Sequence, residues 1–282
     1  MRFGKVDLHL VSDGSYWEDG AGHFGLMPKV EWQEIQKPDE RNRVPLVARC
    51  LLVYSGSRRI LVDTGFGDKM SEKERSHIDL EGDRRLLGEL EALGVGADDV
   101  DVVINTHLHS DHCGGNTRHD DEGKPVPTFP RATYYVQRQE LADATYPNER
   151  TRAVYLPENL EPVQSAGQLR VVSGDTRLDE QVRLLLTPGH TPGHQSVVIE
   201  SEGRAAIFLA DVANWPFHME QLARVTAFDV QPLVNIETKR RLALWAVENE
   251  VLLLFDHHPT VKGGYLRATG RPDHFCIEPV EI

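Results

Sequence analysis

The stretch that decides the fold is Thr106-His-Leu-His-Ser-Asp-His-Cys-Gly-Gly115, which follows the apolar run Val102, Val103, Ile104. It places His107, His109, Asp111 and His112 within six residues. Three imidazoles and a carboxylate at the end of an expected strand offer nitrogen and oxygen donors suited to zinc or a similar borderline divalent ion. Neighbouring residues of an extended turn face different directions, so one ion cannot use all four. Two ions are the natural reading.

Partners for such a site stand later in the chain, each at the end of an apolar run. Residues 182–186 lead into Thr187-Pro-Gly-His-Thr-Pro-Gly-His194, offering His190 and His194 on a glycine-rich turn. Residues 205–210 run into Asp211, and residues 251–255 into Asp256, His257 and His258. Several short apolar segments each ending in a candidate ligand is the pattern of loops that build one site at the edge of stacked sheets.

This order of motifs resembles the metallo-β-lactamase superfamily over most of the chain. The resemblance rests on Leu61-Val62-Asp63-Thr64-Gly65, the His107 to His112 block, His190, Asp211 and His257. Within the superfamily the chain is most similar to the acyl-homoserine lactonase and methyl parathion hydrolase branch. That likeness comes from Asp13-Gly14, His23-Phe24-Gly25, Met27-Pro28-Lys29, and from Gln221-Leu222-Ala223-Arg224 through Phe228-Asp229-Val230.

The resemblance implies an α/β fold, a four-layer αββα sandwich with a binuclear metal centre at the sheet edges. It implies His107, His109 and His190 on the first ion, Asp111, His112 and His257 on the second, and Asp211 bridging them. His257 is preferred to His258 because Phe255-Asp256-His257-His258-Pro259 looks like the family's histidine-aspartate-proline ending, with His258 where the aspartate usually stands. The cofactors expected are two divalent ions, zinc first, with manganese, cobalt or iron accepted by the same donors.

Two such ions about 3.5 to 4 Å apart let one present a bridging hydroxide while the other polarises a carbonyl or phosphoryl oxygen. Asp111 is then both ligand and candidate catalytic proton carrier. Opening of a lactone such as an acyl-homoserine lactone is the expected reaction, with phosphotriester or arylester hydrolysis and a glyoxalase II-type thioesterase as the rivals. For the last, Lys262, Arg267 and Arg271 are candidate anchors for an anionic thiol moiety. Di-iron redox chemistry is disfavoured, since its proteins carry a glutamate where His109 stands. The persulfide dioxygenases keep a histidine there but use a single iron.

Other residues have plainer readings. Asp63, after Ile60-Leu61-Val62 and before Thr64-Gly65, suits a turn; the resemblance makes it a residue that orients ligands. His194 and His258 read as structural histidines. Cys113 reads as a small buried thiol under the Gly114-Gly115 turn, and Cys50 and Cys276 as core residues. Three cysteines with no close pair argue against a disulfide framework. His23 and Phe24 are candidates for substrate contact. Asn214 is another, standing where the branch commonly carries histidine or tyrosine, and an amide can donate a hydrogen bond but no catalytic proton.

The 282 residues carry no low-complexity linker and read as one domain, 1–282. Strands are expected at 6–11, 47–54, 59–62, 100–104, 133–136, 169–172, 182–186, 196–199 and 205–209, and helices at 83–93, 138–144 and 238–249. In the last helix, Leu242, Trp245, Ala246 and Asn249 share a side that Leu244 and Val247 broaden. Residues 15–45, with Tyr16, Trp17, Phe24 and Trp32, read as an irregular loop forming a pocket wall or a subunit contact; the branch's N-terminal loop helps form a dimer, so a homodimer is expected. Residues 113–130 read as a second loop, and 146–162 as an excursion that covers the site or merely connects elements.

The net charge of −13, from 44 acidic and 31 basic residues, leaves no basic patch for a polyanion and argues against nucleic acid. With neither a signal peptide nor a membrane span expected, the chain reads as a cytoplasmic enzyme acting on a small ester or lactone.

Overall fold

The computed structural model describes residues 1–81 and 85–282. Two seven-stranded sheets follow one another along the chain, and in each the spatial order of strands is the chain order. The first contains Arg2–Phe3, Val6–Asp19, Arg43–Ser55, Arg58–Val62, Val102–Ile104, Thr133–Gln137 and Leu169–Val172. The second contains Thr176–Arg177, Val182–Leu186, Gln195–Ser201, Arg204–Phe208, Leu252–Leu254, Gly263–Ala268 and Phe275–Pro279.

Period-two alternation assigns the layers. Leu51, Val53, Ile60 and Val62 point from the first sheet into a core shared with Leu184, Val197, Ile199 and Phe208 of the second. Their neighbours Cys50, Leu52 and Leu61 point the other way, onto Leu86 and Leu90 of the helix Arg85–Ala92. On the far side, Val198, Ile207 and Leu253 pack on Leu242, Ala243 and Ala246 of the helix Pro232–Glu248. Helix, sheet, sheet, helix is the expected αββα sandwich. At about 25 cal/mol per Å2 of buried apolar surface, these three interfaces supply the main driving force for the fold.

Most expected elements appear with small shifts, and 169–172 and 182–186 match in full. The start of the helix expected at 83–93 falls on residues outside the described ones. Leu244 of the helix Pro232–Glu248 and its C-cap Asn249 face solvent; Ala243 takes the inward position instead, since the buried stripe runs through Leu242, Ala243 and Ala246.

Residues 15–45 are not a loop throughout. The strands Val6–Asp19 and Arg43–Ser55 extend into it, pairing Tyr16 with Leu46 and Glu18 with Val44 beyond a bulge between Ser12 and Ser15. Only 20–42 connect them, through the short helices Gly20–Phe24 and Lys29–Trp32. Tyr16, Phe24 and Trp32 are buried with Trp215 and Phe217 in one aromatic cluster, Phe24 lying flat on Trp32 at 5.1 Å. Residues 113–130 likewise contain structure, the hairpin Thr117–His119 with Pro125–Pro127. Cys276 is exposed rather than in the core, because alternation on the edge strand Phe275–Pro279 turns Ile277 inward. Among the described residues no helix is long and apolar enough to cross a membrane.

Candidate metal centre

Parallel strands end together, so the loops beyond Ile104, Phe208 and Leu254 meet at one rim of the sandwich. Two residues at this rim adopt left-handed backbone without being glycine, Asp63 (φ 57°), which braces the ligand turn, and Ala210 (φ 50°), which directly precedes the ligand Asp211. Such conformations cost about 1–3 kcal/mol each and gather at functional sites. Ala210 aims Asp211 inward.

The structure brings together all seven expected ligands in two groups. His107, His109, His190 and Asp211 form one; Asp111, His112, Asp211 and His257 form the other, and within each the ligand atoms lie within 4.8 Å of one another. In the first, His190 Nε2 is 3.0 Å from His109 Nδ1 and 3.1 Å from Asp211 Oδ2, and His107 Nε2 is 3.7 Å from the same oxygen. In the second, His112 Nε2 is 3.1 Å from His257 Nε2, 3.4 Å from Asp111 Oδ2 and 3.5 Å from Asp211 Oδ2.

Donors held tetrahedrally at about 2.1 Å from an ion are about 3.4 Å apart, so both groups fit a divalent ion of zinc's size. The buried His107 Nε2 has no hydrogen-bond partner in the protein. That is costly for a lone polar atom and natural for a ligand.

The rings of His112, His190 and His257 are aimed by what their other nitrogen touches, the device that fixes metal-binding histidines generally. Asp63 Oδ2 lies 2.9 Å from His112 Nδ1, while its two oxygens also accept from the Thr106 amide and hydroxyl at 2.7 Å. Asp63 therefore braces the ligand turn as well as one ring. Asp229 Oδ1 lies 3.1 Å from His190 Nδ1. His257 Nδ1 is 3.0 Å from the Val47 carbonyl and 3.3 Å from the Tyr16 hydroxyl. Arg49, buried, donates to the carbonyls of Asp256, His258 and Pro259 and so pins the turn that presents His257.

Glu140, fully buried, joins the two ligand loops. It accepts from the Leu108 amide and the Tyr155 hydroxyl at 2.9 Å and from the Thr191 hydroxyl at 2.5 Å. Asp229, Arg49 and Glu140 escaped the sequence reading. Asp229 lay in a quoted motif without a role, and nothing local marks the other two.

Burial drives imidazoles neutral and carboxylates protonated. It prevails at His107, held well below its usual range, and at His109, pushed down to about 3. At His257 burial acts the same way but Asp256 and Asp211 overcome it, raising the ring to about 10. Burial likewise opposes ionisation of Asp111, yet the adjacent His112 brings it down to about 2. Asp211 is held well below the carboxylate range by His190, His112 and His257 against its own burial. The carboxylates are held anionic, His107 and His109 keep a free lone pair, and His112 and His190, raised like His257 by the neighbouring carboxylates, would give up a proton on ligation.

The remaining candidates separate. His194 is buried, with Nδ1 2.9 Å from the Thr187 hydroxyl, and belongs to neither group. His258 accepts from the Thr260 and Val261 amides and packs on Trp215. Cys113 Sγ contacts the Leu108 carbonyl at 3.2 Å. Asn214 reaches the cavity over the metal groups, and its Nδ2 donates to Asp211 Oδ1 at 3.2 Å. His23 and Phe24 do not line that cavity; the expectation of substrate contact is corrected. The helix Gly20–Phe24 turns both into the aromatic cluster, where the His23 ring is 4.2 Å from Trp215 and 5.0 Å from His218.

The cavity, of about 350 Å3, opens directly onto His109, Asp111, His190, Asp211 and His257. Tyr16 and Glu18, Ala227, Phe228 and Val230, and Arg150, Thr151 and Val154 of the 146–162 excursion line it.

Two donor groups sharing one carboxylate at the rim of an αββα sandwich define a metal-dependent hydrolase. The family model described as Metallo-beta-lactamase superfamily matches residues 43–223, and the chain belongs to that superfamily. It is 28% identical over 219 residues to the N-acyl homoserine lactonase AiiA of Bacillus thuringiensis subsp. kurstaki, covering 74% of this chain and 80% of that one. A crystal structure of a probable metal-dependent hydrolase from Staphylococcus aureus superposes with a TM-score of 0.89 at 25% identity, covering 100% of both chains. AidC, a dizinc quorum-quenching lactonase in complex with a homoserine product, shares the fold at a TM-score of 0.82 and 20% identity, covering 100% of this chain and 97% of that one.

Proposed function

We propose that the protein is a binuclear metal-dependent hydrolase that opens a lactone ring, an N-acyl homoserine lactone being the leading substrate. The observation that carries this reading is the shared Asp211 at the floor of a cavity walled by Tyr16, Val154, Phe228 and Val230. A cavity near 350 Å3 with an apolar wall and a convergent polar floor suits a small acylated ester. The similarity to curated lactonases supports the same class.

His107, His109 and His190 would hold one ion, Asp111, His112 and His257 the other, and Asp211 both. Zinc fits the donor set, as manganese, cobalt or iron would. When bound, the pair supplies a nucleophile from water at neutral pH and a Lewis acid for the ester carbonyl. Asp111 lines the cavity, and there its carboxylate would carry a proton from water to the departing ring oxygen. Asn214 holds Asp211 in orientation through its amide. Arg150, Thr151 and Val154 complete the lining from the 146–162 excursion.

A thioesterase that grips an anionic thiol finds less support. Lys262, Arg267 and Arg271 do not line the cavity, and Arg267 is paired with Glu250 and Glu278. Parallel assays with an acyl-homoserine lactone, paraoxon and S-lactoylglutathione test the reading, together with elemental analysis of protein purified without added metal. Lactone preference with two ions per chain is expected; preference for the thioester or for the phosphotriester overturns the lactonase assignment.

A further inference from the structure

Glu18 is an acidic side chain of the cavity that neither ligand group uses. It stands two residues after Tyr16 on the strand Val6–Asp19, so both side chains point to the same face. Trp17 between them points away, toward the Arg43 guanidinium at 5.8 Å. Strand geometry thus delivers a carboxylate into the chamber beside the tyrosine that touches His257.

What distinguishes Glu18 is that it lines the cavity with nothing in the protein to bind. Asp63, Glu140 and Asp229 have their oxygens engaged by backbone amides, hydroxyls, a side-chain amide or histidines, and Asp256, whose oxygens also lack a hydrogen-bond partner, does not line the cavity. Among the described residues the Glu18 side chain has no hydrogen-bond or ion-pair partner. The cation that shares its chamber, Arg150, instead donates Nη2 to the Ala227 carbonyl at 2.5 Å. A half-buried carboxylate without a donor is costly to keep, and it is available to a ligand that brings one.

Its charge matters as well. Burial and then Asp111 raise the Glu18 carboxyl to about 8, and two dications in the ligand groups would favour its ionised form; with Asp111, Asp211 and one hydroxide leaving roughly one positive charge, an ionised Glu18 would bring the chamber to about neutral. A neutral chamber does not attract an anionic ester, and a carboxylate near Glu18 is repelled.

We propose that Glu18 determines specificity, accepting a hydrogen bond from an N–H or O–H group on the acyl side of an uncharged ester and rejecting esters whose acyl side carries a carboxylate. The inference rests on the hydrolase reading above and narrows its substrate class to donor-bearing neutral esters, of which an N-acylamino lactone is one.

The test uses the full-length, zinc-loaded protein and its Glu18→Gln and Glu18→Leu variants, each checked for equal metal content. Two substrate pairs are compared by kcat/KM. The first is N-hexanoyl homoserine lactone against its N-methylated amide, which lacks the donor. The second is 4-nitrophenyl butyrate against the anionic mono-4-nitrophenyl glutarate. Wild type should favour the N–H lactone about tenfold to hundredfold, mainly through KM, as expected for a hydrogen bond to a charged group. Glu18→Gln, which keeps an acceptor oxygen, should retain part of that ratio, and Glu18→Leu should abolish it. Both variants should narrow the gap between neutral and anionic esters. A wild type indifferent to N-methylation, or ratios alike in all three proteins, overturns the role of Glu18 while leaving the hydrolase reading intact. Absence of turnover on every substrate by the metal-loaded wild type would instead remove the reading on which the proposal stands.

Discussion

Asp229 backs His190: its Oδ1 lies 3.1 Å from Nδ1 of the ring, while Asn235 Nδ2 donates to Oδ2 at 2.6 Å and the Thr226 hydroxyl to Oδ1 at 3.1 Å. The imidazole therefore cannot rotate without breaking a four-residue network. Removing such a partner typically costs 10–100-fold in metal affinity. Asp229→Ala should lose about that much at the group containing His107 and His109, and less at the other. Chelator competition followed by elemental analysis measures both; equal losses at the two groups would contradict the placement.

Asp211 is common to both groups, whereas His194 belongs to neither. Asp211→Asn should lower metal content and reduce turnover at least a hundredfold, since an anionic ligand becomes a neutral amide. His194→Ala should keep its metal and much of its activity. Full metal content and rate in the Asp211 variant would refute the shared-ligand assignment.

Lys239 lies in the core with Nζ donating to the His218 carbonyl at 3.0 Å and to the Arg224 carbonyl. Burial pushes its ammonium from 10.5 down to about 7. Between those values the unfolded chain binds more protons than the folded one, so stability should rise with pH; the contribution is complete above the unfolded value and lost as pH falls through about 7. Lys239→Met should flatten this slope by up to about 1.4 kcal/mol per pH unit. Urea midpoints from pH 7 to 9.5 decide, and an unaltered slope would count against the buried ammonium as its source.

At Gly193 an added Cβ would meet the Glu140 backbone nitrogen at 2.2 Å and its Cα at 2.6 Å. Gly193→Ala should therefore displace Glu140 from Leu108 and Thr191, costing about 1–3 kcal/mol by overpacking and loosening both ligand loops. Denaturant melts paired with metal content test this; a variant as stable and as metal-rich as wild type would show that the loops do not depend on that contact.

The metal centre was legible because its chemistry is local: four ligands sit within six residues, and His190, Asp211 and His257 each end an apolar run. The layered fold was legible because buried strands such as Val182–Leu186 are short, apolar and bounded by turns. The C-terminal strands Gly263–Ala268 and Phe275–Pro279 were not foreseen, since exposed Arg267 and Glu278 and paired glycines mask their alternation. His23 was misplaced because five residues give no helical period, and only the tertiary cluster with Trp215 shows which way the ring turns. The support supplied by Arg49, Glu140 and Asp229 depends on contacts between distant segments, which no local pattern encodes.

Neither sheet owns the centre. The first sheet's loops contribute His107, His109, Asp111 and His112, the second's His190, Asp211 and His257, so each donor group draws on both. A polypeptide cut in the short link at 173–175 would leave two halves, neither holding a complete donor group. The ions would then act as rivets across the seam, and adding or stripping them should govern whether such halves associate at all.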